Sequence, residues 1–224
     1  MPEWEAGKPT GIDVDATGRV FVADTHYSRI LVFDADGNEL MRFGTHGTGD
    51  GQFLLPTSVA VDRQGRIFVS EYGDNDRISV FSPELKFLYS FGRENMGDQP
   101  LIRPQSMAFD TDGTLWVADA CQHRLCHFTP EGQLLGTIGS LGREPGQLQF
   151  PYHVVLCPDG TLLVTEFMNN RLQRFDRAGH SLDLWGGTGS NPGQLLGPWS
   201  AVVTPKGVVY VLDSVNNRVQ VFKM

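Results

Sequence analysis

Short runs of alternating apolar and polar residues fill the chain, and turn-forming residues separate one run from the next. The first group of runs lies at residues 11–15, 20–24, 30–33 and 39–43, with Gly, Asp and Asn between them. Alternation with a period of two, carried by β-branched and aromatic residues, predicts β-strands rather than helices. Each group of four runs therefore predicts a meander of four antiparallel strands.

The group of four runs repeats along the whole chain. A proline begins each unit, and successive prolines lie 47 or 48 positions apart, at Pro9, Pro56, Pro104, Pro151 and Pro198. Columns of Gly, Arg and Phe keep the same spacing within the units. One four-stranded unit cannot bury both of its faces alone, so the units must pack on one another. A repeat of this length with four strands predicts a β-propeller, in which sheets pack face to face around a central channel.

Motifs at the strand ends point to a particular class of propeller. The second strand of the first unit ends in Val22-Ala23-Asp24, and similar acidic ends follow in the other four units. An Asn-Asn-Arg-x-Gln motif begins the third strand at 169–173 and again at 216–220. Together with the Pro-x-Gly/Ser start of each unit, these motifs resemble the NHL-repeat family over nearly the whole chain. The resemblance implies a β-propeller, for which six blades are usual in the family.

The repeat predicts a single domain that covers residues 1–224. Its units are 9–55, 56–103, 104–150, 151–197 and 198–224. The fifth unit has only three predicted strands, and we expect residues 1–8 to supply its closing strand because soluble proteins tend to cover strand edges. The sequence thus predicts an all-β propeller of five four-stranded blades. The alternative is a truncated six-bladed propeller, whose ring would be open or closed by a partner chain.

Composition excludes several kinds of protein. The 26 acidic residues exceed the 18 basic ones, which gives a net charge of −8 and argues against a nucleic-acid partner, because phosphate backbones need a basic face. We expect no membrane insertion, since no apolar run approaches the roughly 18 residues of a membrane span. The acidic N-terminus shows no targeting segment, so the localisation is not specified. Cys121, Cys126 and Cys157 have neither the spacing nor the number of a zinc site or a disulfide framework.

Unusual side chains collect in loops that a propeller places on one side, namely the turn between the second and third strands and the loop to the next blade. The candidate ligand-binding residues are Tyr27, Tyr72, His123, Tyr152, His153, Phe167, Met168 and Trp199. Aromatic and apolar groups in exposed loops are typical of a binding surface. The competing interpretation is that these side chains fill the space between neighbouring blades.

Every unit carries an acidic residue followed five or six positions later by an arginine. The pairs are Asp24 and Arg29, Glu71 and Arg77, Asp119 and Arg124, Glu166 and Arg171, and Asp213 and Arg218. Five such carboxylates are also typical of an ion site. Because both partners occur in every unit, we interpret them as structural, since charges between packed sheets need partners.

Asymmetry between the units is the better indicator of chemistry. On the predicted innermost strand, Asp13 stands where the other units have Ala or Val, and His153 stands where they have Gly or Ser. A carboxylate and an imidazole near a channel could hold a metal or transfer protons, so Asp13 and His153 are the candidate metal ligands. The alternative is that both have structural roles. No other catalytic motif is present, and no cofactor is predicted.

The resemblance suggests three kinds of function. NHL propellers of tripartite-motif proteins bind RNA on a basic face, which this acidic chain does not supply. The peptidyl-hydroxyglycine amidating lyase holds a channel metal with histidines that have no matching set here. Other members are platforms for proteins or ligands. We therefore expect a non-catalytic scaffold that binds a protein, peptide or small ligand, as a monomer, or as a dimer if the ring is open. The alternative is a metal-dependent channel enzyme, a lyase or hydrolase.

Overall fold

The computed structural model describes residues 8–93 and 96–223, which form an all-β structure with very little helix. The strands form four antiparallel sheets of four strands and one of three strands. Each sheet corresponds to one sequence repeat, so the chain has the five blades of a β-propeller. The fold class and the blade number predicted from the repeat are therefore confirmed.

The strands follow the order of the repeat. Sheet 1 contains β1 (Pro9–Val14), β2 (Val20–Asp24), β3 (Arg29–Phe33) and β4 (Glu39–Phe43). A short parallel pair follows, β5 (Thr45–His46) and β6 (Gln52–Phe53). Sheet 2 contains β7 (Leu55–Val61), β8 (Ile67–Tyr72), β9 (Arg77–Phe81) and β10 (Phe87–Phe91). Sheet 3 contains β11 (Pro104–Phe109), β12 (Leu115–Asp119), β13 (Arg124–Phe128) and β14 (Leu134–Ile138).

The last two sheets complete the described strands. Sheet 4 contains β15 (Pro151–Leu156), β16 (Leu162–Glu166), β17 (Arg171–Phe175) and β18 (Ser181–Gly186). Sheet 5 contains β19 (Pro198–Val203), β20 (Val208–Asp213) and β21 (Arg218–Lys223), with β21 at its edge. The predicted closing strand at residues 1–8 lies almost entirely outside the described residues. Of that segment only Lys8 is described, and it is not part of a strand.

The chain divides into two compact units, Met1–Ser106 and Met107–Met224. In the first unit, Phe21 and Ile30 of sheet 1 pack with Val59, Ile67 and Val69 of sheet 2, and all five side chains are buried. Because side chains alternate along a strand, each sheet offers one apolar row to each neighbour. The alternation in the sequence therefore produces the core between these sheets.

The second unit has two such cores. Trp116 and Leu125 of sheet 3 pack with Val154 and Leu162 of sheet 4. The opposite face of sheet 4, which includes Leu163, packs against sheet 5 in a second cluster. Sheet 4 is therefore buried on both faces, as a propeller blade between two neighbours must be.

The glycine column marks the tight turn between the first and second strands of each sheet. Gly18 has a φ of +86°, and its equivalents in the other four sheets also have positive φ values. Other residues rarely adopt this backbone conformation, because a Cβ atom collides with the neighbouring carbonyl oxygen.

In the described part of the chain, no helix has the length and apolarity that crossing a lipid bilayer requires.

Candidate functional site

Three of the predicted binding residues meet in the second compact unit, Met107–Met224. They form an aromatic cluster, defined as Tyr152, Phe167 and Trp199. The rings of Tyr152 and Phe167 stack with centroids 4.6 Å apart and an interplanar angle of 21°. Trp199 packs edge-on against Tyr152 at 4.9 Å and against Phe167 at 6.0 Å. These distances lie in the range of favourable aromatic pairs, so the three rings support one another.

Backbone geometry brings the rings together. Tyr152 lies within a register shift of β15, between Pro151 and His153, and Trp199 lies at the equivalent shift of β19. Bulges of this kind redirect a side chain relative to its strand. Phe167 follows β16, and its N–H donates to the carbonyl oxygen of Phe150 at 3.0 Å. The cluster is thus fixed by two strands and a hydrogen-bonded turn.

The cluster has a buried base and an accessible rim. Tyr152 is only 7% exposed, whereas Phe167 and Trp199 are half-buried. Met168, the next residue in the turn, is 49% exposed. Tyr152 therefore fills space between sheets 4 and 5, as the competing interpretation expected, while its two partners and Met168 present apolar surface to solvent.

The predicted histidines have different surroundings. His123 Nδ1 accepts a hydrogen bond from the N–H of Phe150 at 3.1 Å, and the two rings pack edge-on. Burial lowers the pKa of His123 below its ordinary value. His153 Nδ1 is buried and has no hydrogen-bond partner among the described residues, and burial lowers the pKa of its ring to about 4. Both rings therefore favour the neutral form.

The remaining predicted binding residues, Tyr27 and Tyr72, belong to the first unit. The guanidinium of Arg29 lies 4.8 Å from the ring centroid of Tyr27. The guanidinium of Arg103 lies 5.0 Å from that of Tyr72. A cation placed over an aromatic face is attracted by the ring quadrupole. Each tyrosine is thus held by an arginine, and both pairs lie in the first compact unit.

The two candidate metal ligands lie in different units. The carboxylate of Asp13 accepts the N–H groups of Val14 and Val61, each at 2.8 Å, and so joins β1 to sheet 2. Burial is the main reason that the pKa of Asp13 is raised. Within residues 8–93 and 96–223, no three His, Cys, Asp or Glu side chains form a group that could hold a metal ion.

The five acidic residues and arginines form ion pairs in every sheet. In each pair the arginine Nε lies 2.5–2.9 Å from a carboxylate oxygen. Three of the carboxylates also accept a backbone N–H group from the preceding loop: Glu71 from Leu54, Glu166 from Gln149 and Asp213 from Leu196, at 2.7–3.0 Å. Burial raises the pKa of Glu71 and of Glu166, against the opposing effect of their arginines. This geometry ties the turn after the second strand to the preceding loop.

Comparison with known proteins agrees with this architecture. The NHL repeat family model matches residues 7–33, 101–128 and 195–222, which cover the first three strands of sheets 1 and 3 and the three strands of sheet 5 except Lys223. These matches coincide with observed blades. The chain is an NHL-repeat β-propeller. A stretch of 77 residues is 39% identical to the protein brain tumor of Drosophila melanogaster, and it spans 34% of this chain and 7% of that protein.

Solved structures resemble this NHL propeller over almost its whole length. A streptogramin B lyase has a TM-score of 0.70 at 18% identity, covering 100% of this chain and 71% of that one. Virginiamycin B lyase from Staphylococcus aureus has a TM-score of 0.69 at 16% identity, covering 99% and 71%. Hydrazine synthase of Kuenenia stuttgartiensis has a TM-score of 0.67 at 14% identity, covering 100% and 80%. At these identities the likeness shows the fold alone.

The structure adds Val215 to the exposed apolar side chains beside the aromatic cluster of this NHL propeller. Val215, 47 positions after Met168, is 54% exposed. A Cβ built on Gly197 would lie 2.7 Å from Val215 and 3.1 Å from the Phe167 ring, so both side chains flank Gly197. Val215 stands in the fifth repeat at the position of Met168, and it was not among the predicted binding residues. The spacing of the repeat was the signal that could have identified Val215.

A small cavity adjoins this surface. It has a volume of about 170 Å³, and its lining residues are Arg143, Met168, Asn169, Asn170, Arg171 and Thr188. Arg171 is held by its ion pair with Glu166, whereas Arg143 is exposed to solvent. An apolar rim therefore lies next to a small polar cavity with a cationic side chain at its edge.

Proposed function

We propose that this NHL propeller is a non-catalytic scaffold that binds a protein or peptide partner through its aromatic cluster. The observation that carries the proposal is the half-buried pair of Phe167 and Trp199, fixed on the buried ring of Tyr152. Met168 and Val215 extend the apolar surface on the exposed side.

Rigid aromatic groups suit such a role. Aromatic side chains near the centre of an interface typically contribute the largest share of its binding energy. Phe167 and Trp199 lose little conformational freedom on binding, because contacts within the cluster already restrict their rings. An apolar surface beside polar groups on a folded protein is typical of an interaction site.

The surroundings also indicate the partner's chemistry. An apolar side chain of a peptide would cover Phe167, Met168 and Trp199. The neighbouring cavity of about 170 Å³ has room for a small polar or acidic group, which Arg143 would attract. We therefore expect a peptide segment in which an apolar residue lies close to a carboxylate or an amide.

A library of random peptides displayed on phage tests the proposal. Peptides selected on the wild-type chain are synthesised, and their dissociation constants are measured by fluorescence anisotropy. Trp199→Ala should raise the dissociation constant about 30-fold, because a central aromatic anchor contributes about 2 kcal/mol. Leu184→Ser is the matched control, since Leu184 is 42% exposed on β18, away from the cluster, and should leave the affinity unchanged.

Met168→Ser protects the test against a folding defect. Met168 is largely exposed, so its replacement should keep the thermal unfolding transition and still weaken peptide binding several-fold. Selected peptides that bind both variants as tightly as the wild type would refute the proposal. Failure to select any peptide from the library would also count against it.

A further inference from the structure

One face of sheet 5 is apolar and exposed across all three strands. Val202 pairs with Tyr210, and Tyr210 pairs with Val221, so these side chains form one row. Leu212 and Val219 form a second row on the same face. The five side chains are between 42% and 60% exposed. An apolar surface of this extent usually marks an interaction site.

The repeat shows what kind of surface this is. The residues 47 positions earlier than Tyr210 and Val219 are Leu163 and Leu172 of sheet 4. Both are only 1% exposed, because they pack in the core between sheet 4 and sheet 5. The exposed face of sheet 5 therefore corresponds to the face with which sheet 4 packs on sheet 5. Equivalent faces are buried between sheets 1 and 2 and between sheets 3 and 4.

The surface that covers such a face is also known from the structure. Sheet 5 covers sheet 4 with its opposite face, in which Ala201 is 2% exposed. The equivalent residue of sheet 1 is Ile12, which is 68% exposed, and its neighbour Val14 is 54% exposed. In sheet 2 the equivalent of Ile12 is Val59, at 3%. Sheet 1 therefore exposes the type of face that covers a preceding blade elsewhere in this chain.

We propose that copies of this chain associate head to tail, with the exposed face of sheet 5 in one copy packed on the exposed face of sheet 1 in the next. The two faces are the halves of an interface that the chain builds repeatedly, so a second copy supplies the matching surface. Such a contact uses different patches on the two copies, and it therefore forms a ring or a longer assembly.

Sedimentation velocity of the chain across a wide concentration range tests the proposal. The wild type should associate as its concentration rises. Val219→Glu or Ile12→Glu should each raise the dissociation constant at least about a hundredfold, because a carboxylate buried without a partner loses its hydration. Leu184→Glu is the control, since Leu184 is comparably apolar and exposed but lies on β18.

Mixing the two variants tests the head-to-tail geometry. Val219→Glu keeps an intact sheet 1 face, and Ile12→Glu keeps an intact sheet 5 face. An equimolar mixture should therefore form a one-to-one complex, although neither variant associates with itself. Because both side chains are largely exposed, we expect both variants to keep the wild-type circular dichroism spectrum, which confirms that they are folded.

Three results would overturn the proposal. A wild-type chain that stays monomeric at high concentration would mean that a second copy does not cover these faces. Self-association that survives Ile12→Glu but not Val219→Glu would indicate contact between two sheet 5 faces. A mixture of the two variants that remains monomeric would exclude head-to-tail contact.

Discussion

Loss of Arg171 should destabilise the propeller strongly, because it leaves a buried carboxylate without its cation. The Nε atom of Arg171 lies 2.5 Å from Glu166 Oε1, and the Glu166 side chain is fully buried while that of Arg171 is 12% exposed. Arg171 also donates to the carbonyl oxygens of Arg143 and Gln147. Water can replace these carbonyl contacts in an exposed loop more easily than it can reach Glu166. Breaking a buried ion pair from one side costs about 3–5 kcal/mol, which we expect for Arg171→Ala.

Urea unfolding at neutral pH measures this change. Far-UV circular dichroism and tryptophan fluorescence should give the same transition, which would justify a two-state free energy of unfolding. Arg42→Ala is the matched control, because Arg42 pairs with Glu39 on the surface, with 52% and 34% of their side chains exposed. An exposed pair contributes about 1 kcal/mol or less, so the control should unfold almost as the wild type does.

The pH dependence gives an independent check. Burial raises the pKa of Glu166, and Arg171 opposes the increase. A raised pKa in the folded state means that protonation favours folding, and this advantage disappears as the pH rises through the folded-state pKa. Without Arg171 the pKa should rise further, so the stability deficit of Arg171→Ala should shrink as the pH falls from neutral. Glu166→Gln in the same variant should recover part of the loss at neutral pH. A deficit below about 1 kcal/mol, or one independent of pH, would refute this reasoning.

Two further predictions concern a glycine and a partly buried histidine. Gly44→Ala should lower the free energy of unfolding in urea by about 2 kcal/mol more than Gly37→Ala does. Both glycines have φ near +87°, but only at Gly44 would a Cβ lie 2.4 Å from the buried Phe53 ring. Equal losses of stability in the two variants would contradict this prediction. The folded-state pKa of His153 is lowered from 6.5 to about 4, so its contribution to stability is present above 6.5 and is lost as the pH falls towards 4. The melting temperature of His153→Gln should therefore fall less than that of the wild type over this range, and identical curves would contradict the prediction.

The repeat predicted the strands well because packing constrains every unit in the same way. The predicted runs 20–24 and 39–43 coincide with β2 and β4. The first strand begins at Pro9, two residues before the predicted run 11–15, since a proline is tolerated at the first residue of a strand. The sequence pattern alone could not place this boundary, because alternation begins only after the register shift between Pro9 and Gly11.

The candidate site was harder to predict than the fold. The sequence placed Tyr152, Phe167 and Trp199 in loops of one type, but their contacts depend on two register shifts and on the turn after β16. Alternation does not reveal a register shift, so the buried position of Tyr152 could not be derived from it. Val215 was not predicted because its neighbours Ser214, Asn216 and Asn217 make the turn polar apart from this one side chain.

The position after the proline that begins each repeat offers a way to separate the binding role that we propose for the aromatic cluster from a role in folding. In sheets 1 and 2, Thr10 and Thr57 occupy this position. Their hydroxyl groups donate to the carbonyl oxygens of Thr57 and Pro104 at 2.9 and 2.8 Å, respectively. Each threonine thereby joins its strand to the following repeat. Tyr152 and Trp199 stand at the same position in sheets 4 and 5, so the threonine hydroxyl that makes this bond is absent there. Trp199 lacks the hydrogen bond that Thr10 and Thr57 make and exposes part of its aromatic ring, a combination that is typical of a functional site. Replacement of Trp199 by Thr should therefore keep the fold and weaken peptide binding, which separates the two roles.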